Sequence, residues 1–290
     1  MQDNGLMKYY RGLKRGKNLL DTNAHKDFFI TEEDVPAEYT KNKKITNLLT
    51  PEGKFYVKRV DKKERDAEIL ISQIYEKLGL KSAIYLPAGD NKRYEYVVSN
   101  DVKTPNTVIA RNHTVEMMKR LKGKENYLPI ESPLYLPEDY DRINVDYSKF
   151  IINEGMKDLQ LKRIVDCICE DCDGHDLNYF YVLNEQGLIE STVTIDHSMA
   201  GRLHGDMLNA YQNEFSNHAL SRDGIIRHIQ YNETLHSFIT PREIINTVTS
   251  VDVPEIARDI KSEIGYKVDT KFVSDIDKSF DDFAESLIKA

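Results

Sequence analysis

The stretch Cys169-Glu-Asp-Cys-Asp-Gly-His-Asp-Leu-Asn178 runs on through Tyr179-Phe-Tyr-Val-Leu183, Asn184-Glu-Gln-Gly187 and Leu188-Ile-Glu-Ser-Thr-Val-Thr-Ile195 to Asp196. Tyr179 to Leu183 and Leu188 to Ile195 have strand composition, and the polar link between them ends in Gly187, as a hairpin loop does. Asn178 precedes the first strand and Asp196 follows the second. Antiparallel pairing brings those two ends side by side, on strands ~5 Å apart. The hairpin therefore delivers an amide oxygen and a carboxylate to one spot. Asp173, five residues before Asn178 on a tight loop containing Gly174, is placed to face that spot from the other side.

Two hard oxygen ligands and a nearby carboxylate suit Mg²⁺-nucleotide chemistry. Mg²⁺ takes carboxylate and carbonyl oxygens and completes its shell with water and phosphates. A further carboxylate accepts the proton of an attacking hydroxyl. Phosphoryl transfer otherwise needs positioning and charge neutralisation, and Lys58 suits the second task. It lies in Phe55-Tyr-Val-Lys-Arg-Val60, a strand by composition after the turn signal Pro51-Glu-Gly53. Period-2 geometry puts Tyr56, Lys58 and Val60 on one face.

The following segment is the clearest helix, with Ala67, Leu70, Ile71, Ile74, Tyr75 and Leu78 on one stripe and Gly79 at its end. Glu68 sits at the shoulder of that stripe and can reach inward. Tyr94 to Ser99 reads as another strand, and Asn100 to Pro105 breaks the pattern. We place the boundary between two units there, at 1–104 and 105–290. Thr107 to Leu121 and Gly155 to Cys169 read as helices, the latter with Leu161, Ile164, Val165 and Ile168 on one face. Beyond residue 200 the pattern is helical, best over Arg222 to Ile229 and Asp275 to Lys289.

Three segments resemble the HipA-like kinases, a bacterial Ser/Thr kinase group with a protein-kinase-related fold, whose catalytic pattern recurs in phosphatidylinositol kinases. They are Phe55-Tyr-Val-Lys58, Glu68 to Leu80 with its closing Leu-Gly-Leu, and Asp173-Gly-His-Asp-Leu-Asn178 with Ile195-Asp196. The resemblance implies an α+β, two-lobed fold, with a small β-rich N-lobe and a larger, mainly helical C-lobe. It implies ATP and Mg²⁺ as cofactors. Lys58 contacts the phosphates and pairs with Glu68; Asp173 is the catalytic base; Asn178 and Asp196 hold Mg²⁺; His175 is structural. Backbone groups at Val98, Ser99 and Asn100 meet the adenine. It also implies a protein substrate with a Ser or Thr acceptor, autophosphorylation, and an antitoxin-type partner. The pattern departs from the family in two places. Lys41-Asn-Lys-Lys44 stands where a Gly-rich phosphate loop belongs, and His197 follows Asp196 where Phe is usual.

Composition sets the frame. The chain has 290 residues, 40% hydrophobic and 30% charged, and a formal charge of -8, the balance of a soluble globular protein long enough for two lobes. An acidic chain does not favour nucleic acid. No apolar run reaches the ~20 residues of a membrane helix. Cys167, Cys169 and Cys172 are too few and too crowded for a disulfide framework, which points to a reducing cytoplasm.

Other readings compete. Lys58 alone is a solvated strand lysine, Asp173 and Asn178 are turn formers, and Asp196 is a cap. The alternatives for the whole chain are a small-molecule or lipid kinase, a catalytically silent nucleotide-binding module, and a zinc-stabilised interaction domain built on Cys169, Cys172 and His175.

Overall fold

The computed structural model describes residues 29–31, 45–50, 53–90, 95–110, 112–113, 150–171, 178–198, 200–201 and 239–289, with backbone alone at 29–31, 45–50, 53 and 88–90. Asp173, Gly174, His175, Cys172, Lys41 to Lys44 and Arg222 to Ile229 lie outside the described residues.

The first half builds a five-stranded antiparallel sheet. Its strands are β1 (Phe29–Thr31), β2 (Ile45–Thr50), β3 (Gly53–Val60), β5 (Tyr85–Asp90) and β6 (Glu95–Asn100), in the order β1-β2-β3-β6-β5. Helix α1 (Lys62–Lys77) follows β3 after a single residue, Asp61. Asp61 starts it with a capping box: its carboxylate accepts the Glu64 N–H at 2.8 Å, and the Glu64 carboxylate accepts the Asp61 N–H at 2.7 Å. Gly79, at φ 75°, ends the segment in the left-handed region. Between them Ala67, Leu70, Ile71, Ile74 and Tyr75 are wholly buried.

A second, four-stranded sheet contains β4 (Lys81–Ser82), β7 (Thr107–Ile109), β8 (Tyr179–Leu183) and β9 (Ile189–Thr194), in the order β4-β9-β8-β7. β8 and β9 form the expected hairpin, with Tyr179 opposite Thr194. Residues 107–109 are strand where the sequence suggested the start of a helix. Thr-Val-Ile is a β-branched run, and β8 offers it an open edge, which outweighs the weak helical period.

Helix α2 (Asn153–Ile168) packs on β9, and α3 (Pro241–Val248), α4 (Val253–Ile264) and α5 (Thr270–Lys289) close the chain. The main core joins all of these. Val60 and Val97 of the first sheet and the buried face of α1 meet Ile164, Val165 and Ile168 of α2. Val248, Val253, Ile260, Phe280 and Phe283 complete it from the last three helices. The boundary expected at 104/105 is crossed by this core and by β4, which pairs in parallel with β9.

Candidate active site

Lys58 projects from the middle of β3, opposite Val97 of β6. Its Nζ lies 2.7 Å from Glu68 Oε1 and 2.7 Å from Asp196 Oδ2. Three elements thus converge on one ammonium: a strand, the helix that follows it, and the exit of the β8–β9 hairpin. The Glu68 side chain is 0% exposed, Lys58 15% and Asp196 23%, so the cluster opens to water on the Asp196 side.

The carboxylates are held from behind. Glu68 Oε2 accepts the His197 backbone N–H at 2.8 Å, and Asp196 Oδ1 accepts the Ser198 N–H at 3.0 Å. The backbone around Asp196 is tied on both sides. Ile195 N–H donates to the Asn178 carbonyl at 2.9 Å, and the Tyr85 hydroxyl donates to the Ile195 carbonyl. Asn178 is itself buried, at the mouth of the hairpin beside Asp196.

Charge follows from this packing. Burial alone would lower the Lys58 ammonium, but Asp196 and then Glu68 outweigh it and push its proton affinity well above the ordinary lysine range. Burial would raise Asp196, and the Lys58 charge more than reverses this, holding its carboxyl well below the usual carboxylate range. Burial pushes Glu68 up, against the pull of Lys58. Both Glu68 oxygens nevertheless face N–H donors, which suits the ionised, acceptor-only form. The cluster therefore presents one cation between two carboxylates, with the better exposed carboxylate ionised over the whole physiological range.

Val98 and Ser99 lie inside the first sheet, with Val57 and Leu86 beside Val98 and with Tyr56 and Tyr85 beside Ser99. Asn100 is paired on the β3 side, with Phe55, and its side-chain oxygen accepts the Ile84 N–H at 3.1 Å. The chain leaves the ladder after Asn100.

Three further residues join this cluster; Ser82 and Asp171 were not singled out from the sequence, and His197 was noted there only as a departure from the usual Phe. His197, wholly buried, places Nε2 3.0 Å from Ser82 Oγ and Nδ1 3.3 Å from Asp171 Oδ2. The only signal for them in the sequence is adjacency: His197 directly follows Asp196, and Asp171 stands two residues before Asp173. The proposed zinc ligands Cys172 and His175 lie outside the described residues. Cys169 is buried, with its thiol pushed well up by burial, and Cys167 is half-buried. Among the described residues no group of three or more His, Cys, Asp or Glu side chains is placed to hold a metal ion, and no helix is long and apolar enough to cross a membrane.

No family model matches the chain, and no curated protein is similar to it in sequence. Solved structures are similar in shape. The Helicobacter pylori proinflammatory kinase CtkA superposes with a TM-score of 0.50 at 14% identity, over 84% of this chain and 88% of that one. The chain has a two-lobed, protein-kinase-like fold. That is the fold expected from the resemblance to HipA-like kinases. HipA of Shewanella oneidensis MR-1, solved with HipB and operator DNA, aligns over 100% of this chain and 85% of its own at 10% identity; its TM-score of 0.39 is too low to add to the assignment.

Proposed function

We propose that this protein is an ATP- and Mg²⁺-dependent kinase of the HipA-like type, transferring the γ-phosphoryl group to a Ser or Thr hydroxyl of a protein. One observation carries the reading: Lys58 Nζ stands between Glu68 and Asp196 at 2.7 Å from each. An isolated ion pair needs one partner. A lysine shared between a wholly buried helix glutamate and a part-exposed aspartate at a hairpin exit is pre-aimed at the place where phosphates and their metal would sit.

In this reading Glu68 orients Lys58, and Lys58 neutralises the α- and β-phosphates. The residues at the hairpin mouth fit Mg²⁺. The Asp196 carboxylate is kept ionised, and its two oxygens accept from Lys58 and from Ser198, which leaves lone pairs for a cation. The Asn178 amide is the second hard oxygen donor, and Mg²⁺ would supply charge neutralisation to the phosphates. Asp173 accepts the proton of the attacking hydroxyl. Adenine is placed against the backbone where the chain leaves the sheet after Asn100.

The test is incubation of purified protein with γ-labelled ATP and Mg²⁺, with mapping of the label. Label on protein Ser or Thr is expected, and it should vanish in Asp173→Ala while ATP binding persists. Asp196→Ala should weaken Mg²⁺-ATP binding as well as transfer. Normal turnover in either variant would overturn that residue's role. Mg²⁺-dependent ATP binding without protein label would point to a small-molecule or lipid acceptor, or to a silent nucleotide-binding module.

A further inference from the structure

His197 is the junction of four segments. Its backbone N–H donates to Glu68 of α1, its ring packs 4.7 Å from the Tyr75 ring of the same helix, and its two ring nitrogens meet Ser82 of β4 and Asp171 beyond α2. The Asp171 side chain is 1% exposed and the imidazole 0%. A buried imidazole with a partner at each nitrogen has a fixed ring plane. Because His197 directly follows Asp196, fixing the ring fixes the backbone that aims Asp196 at Lys58.

The order Ser82, His197, Asp171 resembles a hydrolytic triad, but the surroundings exclude that use. Ser82 Oγ also lies 3.1 Å from the Ala83 carbonyl and 3.3 Å from the Thr194 carbonyl. The single Ser82 proton thus has two backbone acceptors competing with His197 Nε2, whereas a nucleophilic serine must hand that proton to the imidazole. The arrangement is a clamp.

We propose that His197 is a positioning residue of the phosphotransfer site: held by Ser82 at one nitrogen and Asp171 at the other, it fixes the backbone that sets Asp196 against Lys58. The proposal rests on the phosphotransfer reading. It assigns the departure from the usual Phe at this position a role that a phenyl ring cannot fill, since a phenyl ring can pack there but makes neither hydrogen bond.

The experiment compares His197→Phe, His197→Asn and Ser82→Ala with the wild type. Mn²⁺ binding in the presence of a non-hydrolysable ATP analogue is read by electron paramagnetic resonance, alongside single-turnover transfer and thermal unfolding. A side-chain amide at 197 can restore the bond to Asp171, so His197→Asn is the rescue. His197→Phe should weaken Mn²⁺ by about tenfold and slow transfer by about tenfold or more, the range typical of groups that orient metal ligands. Its nucleotide affinity without metal should be unchanged. His197→Asn should recover most of both losses, and Ser82→Ala should fall between. Wild-type Mn²⁺ affinity in a folded His197→Phe protein would overturn the proposal. So would equal losses in the Phe and Asn variants that merely track their unfolding temperatures. A wild type that binds no Mn²⁺-nucleotide would overturn the phosphotransfer reading and this inference with it, a result distinct from the other two.

Discussion

At the scale of the residue, the competition is between desolvation and pairing. Glu68 is wholly buried and so costs free energy unless its charge is answered; Lys58 answers it and Asp196 together. Removing the cation should therefore hurt more than removing one carboxylate. Lys58→Met leaves two carboxylates facing each other without a counter-charge, and we expect it to lower stability by about 3–5 kcal/mol. Glu68→Gln keeps one acceptor oxygen, enough for Lys58 or for the His197 N–H but not for both, and Asp196 still balances the lysine. Its cost should be about 1–2 kcal/mol. Urea unfolding of the two variants distinguishes them, and the reverse order would mean that Glu68 is not held as a charge. Lys58, Glu68 and Asp196 were legible because each is placed by local periodicity: a strand, a helix one residue later, and a hairpin that measures its own ends. The association of Ser82, His197 and Asp171 was not, because it depends on tertiary packing between segments up to 115 residues apart, and no local pattern encodes it.

At the scale of the element, α1, α2 and the β8–β9 hairpin were readable for the same reason, and β7 was not. A three-residue strand has no period to detect, and only its pairing with β8 defines it. Periodicity is equally silent on which glycines are needed for space. Gly155 lies within α2, where alanine is worth about 1 kcal/mol more by helix propensity alone. A Cβ there would stand 2.4 Å from the Ile189 carbonyl oxygen, a backbone atom that cannot swing away. The clash decides the sign. Gly155→Ala should destabilise by about 1–3 kcal/mol, seen as a lower unfolding temperature by circular dichroism; an unchanged or higher temperature would show that α2 can slide on β9. The start of α3 gives a pH signature. Thr240 donates its N–H and its hydroxyl to Glu243, which holds that exposed carboxyl below its ordinary value. With the folded value depressed, the ionised Glu243 adds stability above the unfolded value of about 4.3 and loses it as pH falls through the folded one. The stability gap between wild type and Glu243→Ala should be full at neutral pH, shrink as pH falls below the unfolded value and close below the depressed folded one.

At the scale of the whole molecule, one core and one charge cluster tie the two lobes together, and the charge cluster sets how nucleotide should bind. Tyr266, between α4 and α5, donates to Asp66 at 2.6 Å and accepts from Arg65 Nε at 3.1 Å, so the C-terminal helices hold α1, and with it Glu68, from the outside. With α1 fixed in this way, the cluster does not need nucleotide to assemble. It does carry one more negative than positive charge, from Glu68 and Asp196 against Lys58. A polyphosphate brought beside Asp196 without metal meets like charge, at about 1–4 kcal/mol for a pair of charges ~4 Å apart between water and a protein surface. Metal-free ATP should therefore bind at least about fivefold more weakly than Mg²⁺-ATP. In thermal unfolding, saturation with Mg²⁺-ATP at about 100 times its Kd adds about 2.7 kcal/mol, a rise of several degrees, while the same ATP with EDTA should give a clearly smaller rise, about 1.8 kcal/mol or less. Asp196→Asn removes the repelling charge and the metal ligand together. In that variant the shifts with and without Mg²⁺ should become nearly equal, the metal-free shift growing as the Mg²⁺-dependent one falls. Equal shifts in the wild type would show that Asp196 does not face the phosphates. A metal-free shift that stays small in Asp196→Asn would place the repulsion elsewhere in the cleft.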